Sequence, residues 1–93
     1  MSETMRSSVG LDDRRKRLLY RAWHRGIREM DYVLGSFANA ALADMDDTEL
    51  EQFEMLMQVP DPDMYKWLSG TVAVPANWDN ALVRRIRSFH IGD

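Results

Sequence analysis

Cysteine is absent from this chain of 93 residues. That excludes a disulfide framework, a thiolate metal site and a thiol nucleophile. Histidine is nearly absent too, with His24 and His90 the only two. No H-E-x-x-H spacing can be built from them, and His90 lies four residues from the end, a poor place for a preorganised site. No apolar run approaches the ~20 residues needed to cross a bilayer. The first ten residues are polar and lack the apolar stretch of a secretory signal. No G-x-G-x-x-G or phosphate-loop pattern occurs, so nothing points to nucleotide or flavin held by this chain itself. The acids around Asp44 to Glu49 lack the central glycine of a calcium loop. These gaps leave little room for catalysis or metal binding, and neither is expected.

What remains is an ordinary globular composition, 45% hydrophobic and 29% charged, with a net charge of -3. A chain this short buries roughly two-thirds of its unfolded surface, enough for one modest core. The small net charge hides an uneven distribution. Eight basic residues fall between Arg6 and Arg28, whereas Glu29 to Asp63 holds ten acids and no base. Charge-opposed surfaces of this kind steer a partner, or are simply the solvated faces of amphipathic helices. The run Arg14-Arg15-Lys16-Arg17 is only four residues long in an acidic chain, so no nucleic-acid partner is expected.

Helical periodicity runs through the chain. Asp12 is placed to cap a first helix whose apolar stripe is Leu18, Leu19, Ala22 and Trp23. Beside that stripe lie Arg14, Arg17, Arg21 and Arg25 at spacings of three and four. Gly26 then reads as the residue that ends this helix in a left-handed conformation. A second helix starts near Ile27 or Arg28, with Glu29 and Asp31 in its first turn, where acids suit the helix dipole. Its core stripe is Ile27, Met30, Val33, Leu34, Phe37, Ala38 and Ala41. Gly35 interrupts that helix and marks close packing against a neighbour. Asp46 to Glu49 has the form of a capping box ahead of Leu50, Phe53, Leu56 and Met57. Pro60 and Pro62 stop that third helix and open a short fourth one, with Met64, Trp67 and Leu68 inward and Tyr65 partly exposed. Gly70 ends it. Residues 71–77 form a loop, and a last helix runs from about Trp78 to Phe89 with Trp78, Leu82, Ile86 and Phe89 inward. The expectation is an all-α fold, a compact bundle of about five short helices. Residues 1–10 form a disordered tail and 11–90 a single domain.

One segment stands out. Arg25-Gly26-Ile27-Arg28-Glu29 places a glycine, which keeps no partner away, between two fork-shaped donors and beside a carboxylate. Read alone it is either a docking corner or an ordinary helix end with solvated charges.

The surrounding residues bear on that choice. Arg-Arg-Lys-Arg-Leu-Leu-Tyr (14–20) followed by Arg25-Gly26-x-Arg28-Glu29-Met30-Asp31 resembles the SdhE family, the succinate dehydrogenase FAD-assembly factors, whose signature is R-G-x-x-E. The likeness continues through Glu49-Leu50-x-x-Phe53-Glu54 and Pro60-Asp61-x-Asp63-Met64-Tyr65-x-Trp67. The resemblance implies a five-helix, non-enzymatic helper. Such a helper binds the flavoprotein subunit of succinate dehydrogenase, and in bacteria sometimes fumarate reductase, and promotes covalent attachment of FAD to it. It further implies that Gly26 and Glu29, with Arg25 alongside, are functional positions. Partner binding is therefore expected at Arg25, Gly26, Ile27, Arg28, Glu29 and Asp31. The helper holds no cofactor of its own and acts on the FAD of its partner. A cytoplasmic, bacterial-type protein, monomeric when free and without membrane insertion, is the simplest expectation. The alternative is a helical interaction module, antitoxin-like or regulatory, with an unrelated partner.

Overall fold

Asp12 starts the first helix, α1 (Asp13–Trp23), because its carboxylate accepts the Arg15 N–H in the first turn at 2.9 Å. The structure, a computed structural model, describes residues 5–91, with the side chains of His90 and Ile91 left out of account. The tail expected from the sequence falls partly on residues 1–4, which with residues 92–93 lie outside the described residues. Within the tail, the Arg6 N–H donates to the Asn39 side chain at 2.9 Å.

Five α-helices and two 3-10 turns make up the described residues, with no strand. After α1 come α2 (Arg28–Ala41), a 3-10 turn at Leu42–Asp44, α3 (Asp47–Leu56), α4 (Asp61–Ser69), a 3-10 turn at Ala76–Trp78 and α5 (Ala81–Ile91). The expected capping box closes α3 at both ends of the reciprocal pair, Asp46 and Glu49. Pro60 precedes α4 and Pro62 sits inside its first turn, where the missing N–H costs nothing. Gly70 ends α4 in the left-handed region, at φ +82°.

One apolar cluster joins all five helices, with Leu18, Leu34, Phe53, Met64 and Ile86 among its most enclosed side chains. The radius of gyration is 12.4 Å, matching the ~12 Å of a compact domain of this length. The α1–α2 contact is the most extensive between helices of the described residues. A Cβ placed on Gly35 would lie 2.2 Å from the indole of Trp23, so the ring occupies the space a side chain would take. The same indole donates to Asn39 at 3.1 Å. Glycine in mid-helix costs roughly 1 kcal/mol against alanine. Here it lets an aromatic ring lie flat on the α2 backbone.

Five details differ from the sequence reading. Ile27 is exposed, not part of the α2 stripe, because it precedes the helix with extended backbone and the helical wheel does not apply to it. Phe89 is also exposed, its ring meeting Phe37 edge-on at 5.7 Å near the open end of α5. Trp78 belongs to a 3-10 turn rather than to α5. Asn80 caps α5 instead, its side chain accepting the Val83 N–H at 2.9 Å. Gly26 does not cap α1, which ends at Trp23 with His24 as its C-cap. Val83, which the wheel passed over, is buried.

Candidate functional site

Between α1 and α2 the chain reverses through His24, Arg25, Gly26 and Ile27. Gly26 adopts φ +100°, a conformation an L side chain rarely takes. Nothing lies within 4 Å of where its Cβ would be. Glycine is therefore required here by backbone geometry, whereas at Gly35 it is required by lack of room.

Two acids fix the corner from outside it. Asp31, on the first turn of α2, accepts the Arg25 N–H at 2.5 Å and the Gly26 N–H at 3.2 Å with one carboxylate oxygen. This ties the loop to the helix that follows it. Asp61, at the start of α4, takes the Arg25 guanidinium at 2.7 Å. That guanidinium also donates to the backbone carbonyls of Val59, at 2.7 Å, and Met57. The Arg25 side chain retains 11% exposure and that of Asp61 13%. An arginine fork this enclosed is satisfied on all sides and is a clamp between the corner and the α3–α4 connection.

The clamp turns the remaining residues outward. Gly26, Ile27, Arg28 and Glu29 are all exposed. Arg28 sits at the first position of α2, where the helix dipole disfavours a cation. Among the described residues its side chain makes no ion pair or hydrogen bond. Ile27, Glu29 and Met30 face Asp61, Pro62 and Tyr65 across an open cleft of about 300 Å³. The cleft has an apolar floor, a carboxylate at its edge and a tyrosine with 44% exposure. It suits an apolar side chain with a nearby donor, and is too small to cradle a dinucleotide.

The six residues expected at the site thus divide. Gly26, Ile27, Arg28 and Glu29 form the outer surface, and Arg25 and Asp31 hold its shape. Sequence reasoning missed Asp61, Pro62 and Tyr32, the last 47% exposed one turn along α2 from Arg28. The signal for the first two was present. The Arg25-to-Asp31 block and the Pro60-to-Trp67 block carried the resemblance separately, and the structure brings them together as the two walls of one cleft. No group of three acids or histidines that could hold a metal occurs among the described residues. No helix among them is long and apolar enough to cross a membrane.

The described residues thus form a small helical domain with an outward-facing corner whose enclosed charges, Arg25 and Asp61, neutralise each other. The chain belongs to the family described as Sdh5, flavinator of succinate dehydrogenase, whose model matches residues 16–90. It is 35% identical over 88 residues to the FAD assembly factor SdhE of Acetobacter pasteurianus, covering 91% of this chain and 81% of that one. It is 33% identical over 73 residues to the mitochondrial succinate dehydrogenase assembly factor 2 of Dictyostelium discoideum, covering 78% of this chain and 52% of the relative. The corresponding Saccharomyces cerevisiae factor (strain S288c) is 35% identical over 88 residues, with 54% of its length covered. The chain thus spans about half the length of these mitochondrial relatives and most of the bacterial one. All three are named as assembly factors.

Proposed function

We propose that this chain binds the flavoprotein subunit of succinate dehydrogenase through the Gly26–Glu29 corner and promotes covalent attachment of FAD to that subunit. The observation that carries this reading is the corner itself. An open, positive-φ glycine is held in place by two contacts, Asp31 on its N–H and Asp61 on Arg25.

The flavin stays with the partner and supplies the attachment chemistry there. The helper contributes binding energy. Gly26 lets a partner backbone approach closely, and Glu29 accepts a hydrogen bond from it. The cleft bounded by Ile27, Pro62 and Tyr65 receives an apolar side chain. Binding favours the partner conformation in which nucleophile and flavin are aligned, a proximity effect. The bias can be no larger than the difference in affinity for the two conformations.

The test is flavin fluorescence of the denatured subunit after co-expression with Gly26→Arg. Loss of the covalent signal, together with loss of the complex on co-purification, supports the reading. A normal covalent signal sinks it.

A further inference from the structure

The outer face of α1 carries an incomplete ladder of charge. Arg14, Arg17 and Arg21 follow one another at spacings of three and four, so they share one side of the helix. The first rung is filled. Arg14 makes a two-pronged contact with Glu54 of α3, at 2.9 and 2.8 Å, with Asp47 a further 3.9 Å partner. Glu54 feels the charges of Arg17 and Arg21, but its carboxylate is already committed to Arg14. Then the ladder opens. Among the described residues, the side chains of Lys16, Arg17 and Arg21 make no ion pair or hydrogen bond, and all three are exposed. Asp13 is the one acid on this face. Between these cations lies an exposed tyrosine, Tyr20, stacked on His24 at 4.0 Å.

We infer that this open part of α1 receives an acidic segment of the protein partner, whose carboxylates continue the ladder that Glu54 begins. The inference rests on the reading of the chain as a flavoprotein helper, and extends its interface from the corner onto α1. Two observations favour a protein carboxylate over nucleic acid. The chain itself demonstrates the pairing at the first rung. The unpaired cations are also few and close, spanning six residues (16–21) or about 8 Å of helix rise, flanked by the acids of α3. That is too short a footprint for the many phosphate contacts that nucleic-acid affinity needs. Continuity favours the same partner as the corner, since Arg21 lies in the last turn of α1, four residues before Arg25. Exposed charges of this kind act mainly on the rate of encounter.

The experiment measures association and dissociation rates for the flavin-free flavoprotein subunit of succinate dehydrogenase, at low and at raised salt. The proteins compared are the native chain, the triple variant Lys16→Gln/Arg17→Gln/Arg21→Gln, and Gly26→Arg. All three altered cations are exposed, and circular dichroism checks that the fold is kept. The expected result is an association rate about ten-fold lower for the triple variant at low salt, a flattened salt dependence and a nearly unchanged dissociation rate. A native association rate indifferent to salt, or a triple variant as fast as the native chain, overturns the inference. So does binding to mixed-sequence duplex DNA at physiological salt that the triple variant abolishes. If Gly26→Arg loses the complex and the triple variant does not, this inference fails and the corner reading stands. If the native chain forms no complex, both fail.

Discussion

Arg25 and Asp61 are 36 residues apart in the chain and 2.7 Å apart in the fold. Their ion pair joins the start of α4 to the corner after α1, and Asp61 also lines the cleft beside that corner. Neither residue is free to meet a partner with its charge. Asp61→Ala is expected to leave an enclosed guanidinium short of its counter-charge and to cost about 2–3 kcal/mol of stability. Urea denaturation measures this. It is also expected to weaken binding, by loosening the corner and by removing one wall of the cleft. Unchanged stability would show that the clamp contributes nothing.

Gly26 separates conformation from contact. Gly26→Ala and Gly26→Arg carry the same backbone strain, roughly 1–2 kcal/mol for a left-handed L residue. They differ in bulk, and the space around the glycine is open. The two variants should therefore melt at similar temperatures, a few degrees or more below the native chain. Complex formation should be impaired by the alanine and lost with the arginine. Equal losses of binding would assign the role of Gly26 to backbone shape alone.

Gly35 behaves in the opposite way. Alanine at this position improves helix propensity by roughly 1 kcal/mol, yet its methyl would overlap the Trp23 indole. Overpacking of this kind typically costs 1–3 kcal/mol, so Gly35→Ala is expected to destabilise. In a background of Trp23→Ala the same substitution should become neutral or favourable. Additive effects in that double-variant cycle would show that ring and backbone are not in contact.

Glu29→Ala distinguishes two roles for the exposed carboxylate. Reduced affinity with flavin attachment restored at high helper concentration marks an interface residue. Undiminished affinity with lost attachment would place Glu29 in proton transfer instead. Titration of the helper into an attachment assay reads both.

Acid should weaken the α1–α3 contact. The hydrogen bonds from Arg14, and secondarily its charge and those of Arg17 and Arg21, hold the Glu54 carboxyl below its ordinary value of 4.5. A group with a lowered folded pKa contributes stability above the unfolded value and loses it as the pH falls through the folded one. Asp12 is lowered as well, first by the Arg15 N–H. Stability is thus expected to decline below about pH 4.5, and Glu54→Gln should reduce the slope of that decline. Equal slopes for the two proteins in acid titrations followed by circular dichroism would contradict this.

Much of the fold was legible because it is locally encoded. The caps at Asp12 and Asp46, the stop at Gly70 and the core stripes of α2 and α3 all lie within a few residues of what they control. Ile27 and Phe89 went astray for a related reason. A helical wheel assumes a helix that continues past the residue and a neighbour that covers it, and each lies at or beyond a helix terminus. The site was half legible. Gly26 and Glu29 drew notice through residue type and resemblance. The clamp did not, since nothing near Arg25 in sequence announces Asp61 as its counter-charge. The division of the corner into holding and presenting residues depends on that distant pairing.

The double tether on the corner has a thermodynamic meaning as well. A loop that orders only when it meets its partner gives up conformational entropy at that moment, roughly 1–2 kcal/mol for each residue fixed. With Asp31 gripping two successive N–H groups and Asp61 gripping the guanidinium, that ordering is completed when the chain folds. A small contact area can then suffice for useful affinity, because little motion is left to be lost in the complex.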